Sequence, residues 1–146
     1  MNLGIKVVFI ALIGTMITVG VSGCSKSSKE YYERGVARLE KGESDGAISD
    51  LTKAIRKRPG YGMAYYYRAR AYQRKKEYDK TIADYTKCIE IDEQRFAVAY
   101  AERGLMYYVK KEYDKSWEDV RKAQSLGQEV RDGFLTALRR DSGRDK

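Results

Sequence analysis

The chain has 146 residues, with 29 Lys and Arg against 21 Asp and Glu, a formal charge of +8 and no histidine. That length suits one domain, or an array of small units sharing one core. Without histidine the commonest general base and transition-metal ligand are missing, and cysteines only at 24 and 88 make neither a metal knuckle nor a disulfide framework. Most metal-dependent and acid–base enzymes are thereby excluded.

The first element is N-terminal. Lys6 precedes an apolar run from Val7 to Val21. As a helix that run spans about 22 Å, short of the ~30 Å hydrocarbon core, which fits a secretory signal better than a permanent span. It closes on Val21-Ser22-Gly23-Cys24, which resembles the lipobox of bacterial lipoproteins. The resemblance implies diacylglyceryl transfer to the Cys24 sulfur, cleavage of residues 1–23 after Gly23, and acylation of the new N-terminus. Several acyl chains make a firm anchor. The competing reading is an uncleaved anchor helix with an incidental cysteine. Ser25 after the cysteine goes with outer-membrane sorting in many Gram-negative families. Residues 24–28 form a polar tether, so the folded part is expected close to the lipid surface.

The remainder repeats. Lys75-Lys76-Glu77-Tyr78-Asp79-Lys80 recurs letter for letter as Lys110-Lys111-Glu112-Tyr113-Asp114-Lys115, and Lys41-Gly42-Glu43-Ser44-Asp45-Gly46 is a weaker earlier copy. Each copy joins two stretches of helical apolar spacing. Before it stand Tyr31/Gly35/Arg38, Tyr65/Ala69/Tyr72 and Tyr100/Gly104/Tyr107. After it stand Ala47/Leu51/Ala54, Thr81/Tyr85/Cys88 and Ser116/Val120/Ala123. These i, i+4, i+7 stripes predict paired helices facing a shared core. Gly35, Ala69 and Gly104 let a partner helix approach closely, with Ala47, Thr81 or Ser116 opposite. Asp45, Asp79 and Asp114 suit N-caps or the helix dipole, and Pro59 suits a helix stop.

This pattern resembles the tetratricopeptide repeat, a helix–turn–helix unit of about 34 residues. Three units are expected at 28–61, 62–95 and 97–130, with one residue inserted near Gln94–Phe96. After a C-cap at Leu126-Gly127, residues 131–146 are expected as a capping helix (Val130–Arg140) and a frayed tail. Phe134, Leu135 and Leu138 would cover the end of the third unit, with Arg131, Arg139 and Arg140 outward. The resemblance implies an all-α, short right-handed superhelical solenoid.

No set of side chains suggests catalysis. Cys88 sits on a core stripe with no histidine to activate it, so an inert buried thiol is expected. Asp79, Asp84, Asp114 and Asp119 recur with the repeat, and capping and solvated faces account for them. No phosphate-binding glycine loop is present, since Gly42, Gly60 and Gly62 fall in connections. The expectation is a non-enzyme with no catalytic residue, metal or cofactor beyond the lipid on Cys24. Nucleic acid is not expected either: the charge is interleaved, at +2, +2, zero and +2 over 29–61, 62–95, 96–130 and 131–146. The cationic excess suits anionic headgroups, acidic wall polymers or solubility alone.

The resemblance implies a concave groove lined by the first helices. Its positions carry Tyr32, Val36 and Leu39 in the first unit, Met63, Tyr66, Arg70 and Gln73 in the second, and Val98, Ala101, Leu105 and Tyr108 in the third. Three consecutive tyrosines cannot share one helix face, so with Tyr65 in the core, Tyr66 and Tyr67 are expected to be partly displayed. Tyrosines beside arginine suit hot-spot binding. Tyr32 and Val36 stand where some relatives carry a Lys/Asn/Arg clamp for C-terminal carboxylates, which speaks against that chaperone-type activity. The expected function is a lipid-anchored, periplasm-facing adaptor of the bacterial envelope, holding a peptide or helix of another envelope protein. Rival readings are a self-associating lipoprotein whose groove takes a neighbour's helix 130–140, and an enzyme acting on envelope polysaccharide through a carboxylate such as Glu102.

Overall fold

Seven helices follow one another among the described residues: α1 (Ser28–Glu40), α2 (Ser44–Lys57), α3 (Gly62–Arg74), α4 (Tyr78–Ile91), α5 (Ala97–Val109), α6 (Tyr113–Ser125) and α7 (Asp132–Ser142). The computed structural model describes residues 26–144; the signal segment, the Val21–Cys24 motif, Ser25 and the last two residues lie outside the described residues. Among those described there is no strand, and no helix is long and apolar enough to cross a membrane. The all-α repeat expected from the apolar stripes is what forms.

Each helix pair turns on the repeated hexapeptide. Gly42, Lys76 and Lys111 occupy the left-handed region, at φ 85°, 59° and 62°. The following amide donates back across the turn: Glu43 to Arg38, Glu77 to Tyr72 and Glu112 to Tyr107, at 2.9, 3.0 and 2.9 Å. This closure satisfies carbonyls that a helix end leaves open. Asp45, Asp79 and Asp114 do not cap; each lies in the first turn of its helix, with no side-chain cap bond there. They reach instead to the next unit, where Lys75, Lys110 and Arg144 pair with them, each at 2.5 Å. Arg144 thus repeats, after α7, the part that Lys75 and Lys110 play after α3 and α5.

Small residues set the distance between paired helices. A Cβ on Gly35 would stand 2.7 Å from Leu51 Cγ, and Ser116 Oγ donates to the Gly104 carbonyl at 2.8 Å. Gly62, expected in a connection, is the first residue of α3 and lies under the Phe96 ring with no room for a Cβ. Phe96 reaches it from the turn made around the inserted residue, where Asp92 accepts from the amides of Arg95 and Phe96.

Asp84 and Asp119 are not solvated. They are 5% and 3% exposed, each held by an arginine sixteen residues earlier. Arg68 donates to Asp84 from Nε and Nη2, both at 2.7 Å, and its Nη1 donates to Thr52 of the preceding unit at 3.0 Å. Asp50 and Arg34 are the first-unit version of this pair. With no helix pair before it among the described residues, the Arg34 side chain is 34% exposed, against 16% for Arg68 and Arg103. The face of α1 that would meet such a unit carries Glu30 and Ala37, both exposed, where the next units bury Ala64 and Ala71, then Ala99 and Met106.

At the other end α7 covers Trp117, Val120 and Ala123 with Phe134, Leu135 and Leu138, while Arg131, Arg139 and Arg140 are exposed. α7 runs on to Ser142: Trp117 Nε1 donates to Ser142 Oγ at 3.0 Å, and Gly143 caps the helix at φ 69°.

Candidate partner-binding groove

α1 contacts α3 directly as well as its own partner α2, so the first helices of the first two units form one continuous wall. Along it runs an unbroken aromatic series. Tyr61 and Tyr32 have centroids 4.9 Å apart, Tyr32 and Tyr67 5.7 Å, Tyr67 and Tyr66 5.6 Å, and Tyr66 and Tyr85 5.7 Å. Arg58 lies 5.0 Å over Tyr61, and Arg70 lies 5.8 Å over Tyr67. Edge and tilted ring contacts with flanking guanidinium groups hold these side chains in place before any partner arrives. Tyr61 and Tyr85 were not among the expected groove residues; Tyr61 follows the helix break at Pro59, outside any stripe.

Burial shapes the chemistry of this wall. Burial, and then the neighbouring Tyr67 and Tyr61, push the Tyr32 hydroxyl up to about 12. Burial also raises Tyr66, and after burial the charge of Glu102 is the next cause. These hydroxyls stay protonated and able to donate. Tyr85, fully buried, donates to Gln73 Oε1 at 3.3 Å.

The expected groove residues fall into three groups. Tyr32, Val36, Met63, Tyr66, Tyr67, Gln73 and Val98 are half-buried, and Arg70 is exposed. Leu39 does not belong with them: it is 3% exposed, inside the cluster of Ala47, Leu51 and Ala54, because its position in the last turn of α1 points it at α2. Ala101, Leu105 and Tyr108 pack against the core at the α7 end. Tyr108 is held by Phe134 at 5.7 Å and donates to Asp141 at 2.5 Å. The third-unit stretch of the wall is therefore partly taken up by the chain's own last helix, which leaves the series from Tyr32 to Tyr66 as its open part.

Cys88 is buried, its thiol donating to the Gly62 carbonyl at 3.4 Å, and burial pushes it up to about 12. No group of three or more metal-ligating side chains comes together among the described residues.

A stack of helix pairs, joined by recurring arginine–aspartate contacts and walled on one side by tyrosines, is a helical-repeat solenoid. The family model of the tetratricopeptide repeat matches residues 63–95, the second of its helix pairs. MamA, in its crystal structure, is 34% identical with a TM-score of 0.68, over 69% of this chain and 58% of that one; this chain thus spans little more than half of MamA. The first TPR of Spaghetti (RPAP3), bound to the HSP90 peptide SRMEEVD, superposes with a TM-score of 0.71 at 21% identity, over 80% of this chain and 91% of that one. The TPR2B domain of yeast Sti1, in a pHsp70 complex, gives 0.69 at 24%, over 80% and 97%. No curated protein matches the sequence. The chain thus carries a tetratricopeptide repeat over residues 63–95, within an all-α helical-repeat fold of the tetratricopeptide type.

Proposed function

We propose that this protein is a membrane-anchored scaffold of the bacterial cell envelope that binds a peptide or helix of another envelope protein along the tyrosine wall. The observation that carries the binding reading is the continuous series Tyr61–Tyr32–Tyr67–Tyr66, half-buried, pre-packed and flanked by Arg58 and Arg70. Rigid aromatic side chains beside arginine give large contact area at low entropic cost, the composition of binding hot spots. Two of the similar folds are complexes, one with an HSP90 peptide and one with pHsp70, which supports a peptide-sized partner here. The occupant differs from an acidic C-terminus of the SRMEEVD type, because Tyr32 and Val36 supply no cation to a terminal carboxylate.

The anchor rests on the sequence of residues 1–25. A thioether-linked lipid on Cys24 would confine the wall to a thin layer above the membrane and raise the effective concentration of a partner there. The reading is of a binding module and not of an enzyme, with no cofactor beyond that lipid, and it favours the outer membrane through Ser25. Self-association through residues 130–140 is disfavoured, since α7 is seated on its own chain by Phe134, Leu135 and Leu138.

The test is crosslinked capture from whole envelopes, comparing native protein with Met63→Ala/Tyr66→Ala, after equal helicity is established. Loss of one abundant partner from the variant supports the wall as the working surface; an identical partner list sinks it. In parallel, Cys24→Ser moves the protein out of the membrane fraction and abolishes labelling by an alkynyl fatty acid; a variant still in that fraction overturns the lipid anchor.

A further inference from the structure

This inference rests on the groove reading above and names the chemistry of the partner. Between α5 and the connection from α6 to α7 lies a recess of about 190 Å³, lined by Val98, Ala101, Val130 and Phe134 together with Glu102 and Glu129. The lining is apolar surface with two carboxylates, the Gln128 amide and, at the border, one guanidinium. Neither carboxylate has a hydrogen bond or ion pair among the described residues. That sets them apart from Asp84, Asp119, Asp114 and Asp141, each of which has an arginine on it. Arg131 also borders the recess and, like Glu129, is exposed, whereas Glu102 is half-buried; Arg131 pairs with neither carboxylate.

Glu102 joins the recess to the tyrosine wall. After burial itself, its negative charge is the strongest influence keeping both Tyr66 and Tyr85 protonated. The opposite end of the wall carries Arg58 against the Tyr61 ring, while Arg70 stands between, over Tyr67, where its charge opposes that of Glu102 on Tyr66 and Tyr85. A segment lying along the wall therefore passes from a cationic end to an anionic one, and charge complementarity fixes its direction.

We propose that the groove takes its partner through one lysine or arginine side chain that enters this recess and pairs with Glu102 and Glu129. The dimensions fit one such side chain. Its methylene stem lies along Val98, Ala101 and Phe134, as long basic side chains do on apolar surface, and its head reaches the two carboxylates. An acidic or C-terminal carboxylate is repelled from the same place. The partner is a basic-anchored segment with apolar side chains spaced for Tyr66 and Tyr67, not an acidic tail.

The experiment selects binders from a displayed library of random dodecapeptides on the full-length protein and on Glu102→Gln/Glu129→Gln. Neither carboxylate has a structural partner, so the variant is expected to keep native helicity. The expected result is a Lys or Arg at one fixed position of the peptides selected on native protein, with apolar residues at fixed spacing. On the variant that basic position is lost, and synthetic copies of the native-selected peptides bind it roughly tenfold more weakly. Binders that lack a fixed basic residue, or that bind the variant equally well, overturn this inference and leave the groove reading standing. A library that yields no binder at all overturns both.

Discussion

Arg103 grips Asp119 with two hydrogen bonds, 2.9 Å from Nε and 2.7 Å from Nη2, while its third nitrogen donates 2.8 Å to Thr86 in the preceding helix pair. Arg68 does the same between Asp84 and Thr52. A planar guanidinium is suited to this: its fork holds a carboxylate in two places and still has a donor to spare. One side chain thus closes its own unit and fastens it to the one before.

Truncating the second-unit arginine leaves a buried carboxylate without its counter-charge. Arg68→Ala is expected to lower unfolding free energy by roughly 3–5 kcal/mol. Arg34→Ala is expected to cost distinctly less, because Arg38 also pairs with Asp50, at 2.9 Å, and the site opens to solvent. Urea unfolding followed by circular dichroism ranks the two; equal losses would show that the pairs are not what binds the units.

The two lysines in left-handed turns mark a gain waiting to be made. Glycine has no Cβ to clash there, so Lys76→Gly and Lys111→Gly should each stabilise by about 1 kcal/mol. Gly42→Ala, in the equivalent turn at φ 85°, should destabilise by a similar amount. Thermal unfolding of the three variants checks the signs.

Asp141 fastens α7. The Arg140 guanidinium, and then the Tyr108 hydroxyl, hold its carboxyl down to about 2 from the usual 3.8. A depressed folded-state value contributes stability above the unfolded value and loses it as pH falls through the folded one. The difference between native protein and Asp141→Asn should therefore be full above pH 4 and vanish towards pH 2. Fluorescence of Trp117, the one tryptophan and a donor to Ser142 beside this contact, reports it. A difference that persists unchanged at pH 2 would contradict the assignment.

Gly62 and Phe96 should behave as a coupled pair. Gly62→Ala drives a methyl into the ring and is expected to cost about 1–3 kcal/mol. Adding Phe96→Leu opens space, so the double variant should be more stable than the sum of the single losses predicts. Additive losses in a double-mutant cycle would mean that the contact is not tight.

The buried thiol should be silent. With its acidity pushed up to about 12, Cys88 is expected to resist alkylation at pH 8 in the native protein and to label readily in urea. Mass spectrometry of the peptide around Cys88 follows the reaction; prompt native labelling would show that the site opens.

The helix pairs were legible because a solenoid buries one face of every helix, and that face repeats in the sequence at fixed spacing. The stripes through Tyr65/Ala69/Tyr72 and Tyr100/Gly104/Tyr107 are found in α3 and α5. The arginine–aspartate pairs are written in the same repeat, Arg34, Arg68 and Arg103 with Asp50, Asp84 and Asp119, but in sequence alone Asp84 and Asp119 read as solvated faces of the repeat. Only the sixteen-residue offset between partners, which places them on facing helices, distinguishes a buried pair from two solvated charges. Leu39 shows the opposite error, since a position on the groove side of the first helix turned inward once α2 packed on it.

What the sequence by itself determined is the periodic part of this protein: the number of helix pairs, their turns and the small residues at their crossings. Each depends on interactions within about 35 residues, which recur in every unit. The tertiary structure decided what happens where the periodicity ends. α7 covers the end of the third helix pair and takes Tyr108 with it. The recess holding Glu102 and Glu129 exists only because the chain after α6 folds back beside α5. Its two carboxylates stand on α5 and on the connection after α6, in different local patterns, and nothing but packing brings them together.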